Sequence, residues 1–152
     1  MALADGYIAM VDSKNHYNYW RPVTAIQTGD TDGNPETVGD PTWTPLRPTP
    51  PDQDYASGHS IEGGAGAEVL KQFFGTDKIS FQDCSVTLPA GSTCSDAAPV
   101  FRSYTSFSQA AAENAYSRIL IGFHFRKAVE EGTAYGQKIG QRAANLYLRP
   151  VR

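Results

Sequence analysis

The sequence predicts an all-α domain: a helical bundle joined by long proline-rich loops, with one short β-hairpin as an optional addition. Three observations carry this expectation. Apolar residues recur at helical spacing in several separate stretches. Seven prolines between Pro22 and Pro51 argue against regular structure in the interval that follows the first stretch. Gly132, Gly136 and Gly140 fall at every fourth position near the end, a smooth ridge suited to close helix packing. With 152 residues, 40% of them hydrophobic, the chain can bury one core, so residues 1–152 are read as a single domain.

Residues 2–20 carry Leu3, Tyr7, Ile8, Met10, Val11, Tyr17 and Trp20 at mostly helical spacing, which predicts one or two helices. Lys14 and Arg21 are seven positions apart and share a side if that helix is continuous. Pro22 disfavours helix at Arg21 and sets its side chain near a helix end. Residues 23–54 read as a loop without regular elements, wrapping over a pocket and delivering Ser57 into it. Within it, Asp30-Thr31-Asp32-Gly33-Asn34 has its glycine misplaced for a calcium loop and no closing glutamate, so it reads as a plain turn.

Residues 60–74 predict a helix with Ile61, Val69, Leu70 and Phe73 as apolar contacts and Gly75 as its stop. Gly63, Gly64 and Gly66 each cost roughly 1 kcal/mol of helix propensity against alanine, which close approach of a neighbouring helix would offset. Residues 76–101 form a polar excursion with room for a hairpin. Ser106 or Ser108 caps the next helix, which runs on through Ala110, Ala115, Ile119 and Leu120. Arg118 and His124 lie about 120° apart on an ideal helix, so they meet only if the helix breaks near Gly122 or the arginine stem reaches round. The last helix spans about 125–148 and is closed by Arg149-Pro150.

Composition narrows the function classes. A net charge of -3 leaves no broad basic face for nucleic acid, so any cationic cluster is local and aimed at something small. No apolar run approaches the roughly 20 residues of a membrane span, and Met1-Ala2-Leu3-Ala4 is too short for a signal peptide. Cys84 and Cys94 flank the turn sequence Leu88-Pro89-Ala90-Gly91-Ser92. A bridge between them would suit an exported protein, periplasmic or secreted, which is the expectation adopted; two reduced thiols in a surface loop are an equal alternative.

Local chemistry concentrates at Ser57-Gly58-His59, just before the second helical stretch. The first N–H groups of a helix lack partners and carry the positive end of its dipole, so an anion there gains hydrogen bonds and field together. Gly58 allows close backbone approach, Ser57 adds a hydroxyl, and His59 can move a proton near neutral pH. His16 reads as a surface residue.

The full spacing is more specific: Lys14, six residues, Arg21-Pro22; Ser57-Gly58-His59; Ser117-Arg118, five residues, His124. This resembles the three-part signature of the vanadium-dependent haloperoxidase and type 2 phosphatidic-acid phosphatase superfamily. Tyr19-Trp20-Arg21-Pro22-Val23-Thr24-Ala25-Ile26, Trp43-Thr44-Pro45 and Gly122-Phe123-His124-Phe125-Arg126 look like its haloperoxidase branch. The resemblance implies that Lys14, Arg21 and Arg118 neutralise the oxygens of vanadate, or of phosphate in the same pocket, with Ser57 and the Gly58 N–H binding further oxygens. It implies that His124 ligates vanadium or attacks phosphorus, and that His59 is the acid–base.

Some positions depart from the pattern. The phosphatase signature places an aspartate four residues after its last histidine, where this chain has Ala128, so His124 needs another partner, such as a backbone carbonyl, to fix its tautomer. The proline usual before Ser-Gly-His is Ala56. Seven positions before His59, where chloroperoxidase relatives tend to carry an aromatic residue, stands Asp52, whose carboxylate would repel halide unless its loop points elsewhere. Relatives of this type are usually much longer, so the chain is expected to be the C-terminal core of a longer architecture, or to be completed by a second copy. The first functional expectation is halide oxidation by hydrogen peroxide at a histidine-bound vanadate. Phosphomonoester hydrolysis through a nucleophilic His124 is the second, and an oxyanion-binding module without turnover the third.

Overall fold

In the computed structural model, which describes residues 1–84 and 100–147, helix α1 (Ala2–Tyr17) ends at Asn18, in left-handed conformation with φ 45°. The Asn18 N–H bonds to the Lys14 carbonyl and closes the helix. Because the chain turns there, Lys14 and Arg21 do not share a continuous helix. A second short helix, α2 (Pro22–Gln27), follows with Pro22 in its first turn, where the missing N–H is no loss. This corrects the expectation that residues 23–54 hold no regular element: after Pro22 the next proline is Pro35, which leaves space for α2 and a 3-10 turn over Gly29–Thr31. Beyond these the stretch is loop. Asp32 and Asp30 accept from the backbone N–H groups of Asn34 (2.7 Å) and Gly39 (2.9 Å), the plain turn that was expected.

Helix α3 (Gly58–Phe74) is the element against which the others pack, and it starts two residues earlier than the periodicity suggested, with Ser57 as its N-cap and Gly75 at φ 69° as its stop. An antiparallel hairpin pairs β1 (Phe81–Cys84) with β2 (Phe101–Tyr104). Phe81 packs at a tilt on Tyr104 at 5.2 Å and on Phe107 at 5.8 Å, and Phe107 stacks on Phe74 at 5.8 Å, tying the hairpin to the bundle. The cysteine pairing rests on Cys94, which lies outside the described residues, as do the Leu88–Ser92 turn and Arg149-Pro150. Helix α4 (Phe107–Leu120) is capped by Ser106, whose hydroxyl accepts from the Gln109 N–H at 3.0 Å, and α5 (Arg126–Tyr147) completes the bundle. Among the described residues no helix is long and apolar enough to cross a membrane.

The core is built from small side chains: Ala56, Ala65, Ala111, Ala115, Ala128 and Ala143 are buried around Ile61, Phe123 and Val129. Leu70 and Phe73, expected as contacts, are instead 41% and 73% exposed. Helix α1 likewise turns Gly6, Ser13 and Lys14 inward while Ile8 and Val11 stay exposed. A bundle of this kind is held by backbone proximity rather than by large interdigitating side chains. A Cβ on Gly140 would meet the Ala65 carbonyl at 2.5 Å, one on Gly64 would meet the Thr133 carbonyl at 2.5 Å, and one on Gly136 would collide with the Ile61 carbonyl. The expected ridge on α5 therefore lies against α3. Gly66 is the exception, with nothing nearer than Leu3 at 4.0 Å.

Two alanine substitutions separate packing from propensity. Gly140→Ala should lower stability by about 2 kcal/mol despite its better helix propensity, because backbone must move. Gly66→Ala should be neutral or stabilising by up to about 1 kcal/mol. Urea unfolding midpoints at constant m-value measure both.

Candidate functional site

Lys14 and Arg21 are both buried and both reach for the segment 52–54. The Lys14 ammonium pairs with Asp52 Oδ2 at 3.0 Å and donates to the carbonyls of Gln53 and, at 3.4 Å, Asp54. Arg21, the N-cap of α2, donates from Nε to the Asp52 carbonyl (2.8 Å), from Nη2 to Asp52 Oδ1 (3.2 Å) and from Nη1 to the Phe123 carbonyl (3.0 Å). The loop that was expected to carry Ser57 into the pocket thus carries Asp52 there and buries Asp54 beside it.

The break anticipated near Gly122 brings Arg118 and His124 together. Gly122 has φ 85°, a conformation natural to glycine, and Trp43 and Pro45 pack so closely on it that a Cβ would lie 2.9 Å from the indole. The chain then folds back so that the Phe123 and His124 N–H groups both bond to the Arg118 carbonyl, at 3.1 and 3.3 Å. The Arg118 guanidinium lies 4.8 Å over the Phe123 ring.

His124 is buried, and Arg21 Nη1 stands against its ring, 3.4 Å from Nδ1 as well as within reach of Nε2. Nδ1 lies 2.7 Å from Asp54 Oδ1, and Nε2 lies 3.0 Å from Arg21 Nη1. A carboxylate oxygen accepts, so the proton sits on Nδ1 and is donated to Asp54, which leaves the lone pair on Nε2. This corrects the expectation of a backbone partner for His124: a carboxylate does orient the ring, from position 54 rather than 128. Ala128 instead offers its carbonyl to the Ser57 N–H at 3.0 Å. Asp54 escaped the sequence reading because it lies 70 positions from its partner, in a loop with several other acidic residues.

At the start of α3 the triplet divides. Gly58 lines the cavity, so the α3 N-terminus opens there, and the exposed His59 stands at the edge. Ser57 is set back: fully buried, it accepts from the Ser60 hydroxyl at 2.9 Å and does not line the cavity. The cavity measures about 160 Å³ and is walled by Lys14, Arg21, Arg118, Gly58, His59 and His124, with Asp52, Pro50, Tyr7, Met10 and Glu62 completing it. That is the scale of a small ion, not of a drug-sized ligand, which needs roughly 300 Å³ or more. Larger hollows exist elsewhere, of about 490 and 600 Å³, but neither gathers these cations. Arg118 Nε is buried without a hydrogen-bond partner, a donor left over for a ligand. His16 is exposed, as expected, and no cluster of metal-binding side chains occurs among the described residues.

Burial holds the Lys14, Arg21 and Arg118 cations below their ordinary values, with Asp52 opposing this at the first two. Asp52 is held below the usual carboxylate range: partial burial works against this, but Lys14 and Arg21 together outweigh it. His124 is lowered, first by burial and then by nearby Arg21 and Lys14, while its bond to Asp54 opposes. His59 is lowered by burial and by Arg118, with Glu62 opposing.

The family description "VCPO second helical-bundle domain" matches residues 1–152. Among solved structures, the first bacterial vanadium-dependent iodoperoxidase is similar at 38% identity and TM-score 0.77, over 95% of this chain and 31% of that one. A bacterial vanadium-dependent chloroperoxidase in its holo form shares the fold at 22% identity and TM-score 0.74, over 95% of this chain and 33% of that one. Its apo form gives 22% and 0.75, over 95% and 34%. The chain thus spans about a third of the length of these structures. None of the curated proteins matches it.

The two lowered histidines give stability a definite dependence on pH. The unfolded chain takes up protons at these positions near the ordinary histidine value of about 6.5, and the folded chain only at lower pH. Their contribution is therefore complete above about 6.5 and declines as pH falls through that value toward the folded pKa values. The urea midpoint should drop between about pH 7.5 and about pH 5.5, above the carboxylate range, and His124→Gln should make that drop shallower.

Proposed function

Since the chain belongs to the vanadium haloperoxidase superfamily, we propose that its cavity binds vanadate and that, so loaded, it oxidises halide with hydrogen peroxide. One observation carries the reading: Lys14, Arg21, Arg118, the start of α3 and His124 converge on a single cavity of about 160 Å³. The donor set suits a tetrahedral oxyanion. Three cations match its charge, the unpartnered Arg118 Nε has a hydrogen to give, and Nε2 of a neutral His124 has the lone pair a ligand needs.

Bound vanadate would supply a Lewis-acidic centre that makes peroxide able to oxidise a halide without a redox change at the metal. The remaining work falls to the chain. Asp54 holds the His124 proton on Nδ1 and keeps Nε2 free; the cations spread oxygen charge; the Gly58 end of α3 adds its dipole. His59, at the exposed edge and held neutral near pH 7, is placed to accept a proton from incoming peroxide at a ring nitrogen and return it.

A second reading gains from one observation. The orienting carboxylate absent from position 128 is present as Asp54, which equips His124 to attack a phosphomonoester while His59 protonates the leaving oxygen.

Bromination of a phenolic dye by peroxide should appear only after orthovanadate is added and fall to background in His124→Ala. Asp54→Asn should weaken vanadate binding about 10–100-fold. If the dye assay stays silent while an alkaline quench traps phosphate on His124 from a phosphomonoester, the second reading replaces the first. Silence in both assays, with vanadate still bound, leaves the oxyanion-binding module.

A further inference from the structure

We infer that Asp52 is a resident anion of the cavity, a displaceable counter-ion that an oxyanion must expel from Lys14 and Arg21 before it can bind. This rests on the oxyanion reading of the cavity and concerns how that site is regulated. The carboxylate lies with one oxygen 3.0 Å from Lys14 Nζ and the other 3.2 Å from Arg21 Nη2, and Asp52 lines the same cavity as Arg118, His59 and His124. It therefore holds donors that a tetrahedral anion in this space would need.

Exposure separates the two sides of these pairs. The Lys14 and Arg21 side chains are 5% and 7% exposed, whereas that of Asp52 is 44% exposed. The cations are fixed in the interior and the anion stands at the mouth, with solvent to receive it. The main chain need not follow, because the Asp52 carbonyl is separately bonded to Arg21 Nε at 2.8 Å and the Asp54 N–H to the Tyr19 carbonyl at 2.9 Å. Rotation of the Asp52 side chain is thus enough to free both cations. Two buried cations without an anion would be costly, so in the absence of ligand the carboxylate offsets part of their charge, and with a ligand present the two anions compete.

Calorimetric titration with inorganic phosphate compares the wild type with Asp52→Asn, Asp52→Ser and Asp52→Glu. Removing the competing charge should tighten phosphate binding about tenfold in both neutral variants, the serine guarding against new bonds from the amide, while Asp52→Glu stays within about threefold of wild type. A residue that merely shaped the site would, on replacement, weaken binding. Equal or weaker binding in both neutral variants, with phosphate still bound by the wild type, overturns the inference and leaves the oxyanion reading standing. If neither the wild type nor the neutral variants bind phosphate while melting cooperatively, the oxyanion reading falls and the inference with it.

Discussion

The structure depends on the burial of two cations. Lys14 and Arg21 are 4% and 6% exposed, and taking an isolated charge out of water costs several kcal/mol even after relaxation. The segment 52–54 meets that cost with three backbone carbonyls and a carboxylate, and Phe123 adds a fourth carbonyl from the far side. Carbonyl dipoles solvate a cation without cancelling its charge, so the positive field survives inside the protein. The same segment continues through Asp54 to His124 and through Ser57 into α3. Loop conformation, histidine orientation and helix start are therefore consequences of one packing decision.

Neutral imidazole and fixed cations suit each other. A protonated His124 would add a further charge beside Arg21 and would surrender the lone pair on Nε2. Burial and the neighbouring cations oppose that protonation, while Asp54 takes the Nδ1 proton and leaves the opposite nitrogen available. His59 has the same polarity of influences in a more open position, which fits a group that exchanges protons rather than one that holds a ligand.

What could be read in the sequence was what local stereochemistry decides. Ser106 capping α4, Gly75 stopping α3, Gly122 breaking the chain between Arg118 and His124, and the α5 glycine ridge each follow from a residue's own backbone preference. The candidate site residues Lys14, Arg21, Ser57, Gly58, His59, Arg118 and His124 were legible through resemblance, and all but Ser57 line one cavity. Helix α2 was missed because proline density was weighed over proline position, although Pro22 favours a first turn. The inward face of α1 was illegible because it is made of Gly6, Ser13 and Lys14, and periodicity scores only apolar residues. Asp54 and the orientation of Asp52 depend on contacts between residues far apart in the chain, 70 positions in the case of Asp54 and His124, and no local pattern records such pairings.

Gly132 on α5 lies against the Ser57 carbonyl and the Ser60 Cβ, where a Cβ would find them at 2.9 and 3.1 Å, and the Ala128 carbonyl one turn earlier holds the Ser57 N–H. The interval between the head of α3 and the first turns of α5 is thus set by main chain lying close to main chain. A dimension gauged in that manner resists gradual adjustment. Divergence in what such a domain accepts has its freedom in the other side chains that line the cavity, Tyr7, Pro50 and Glu62, none of which makes these main-chain contacts.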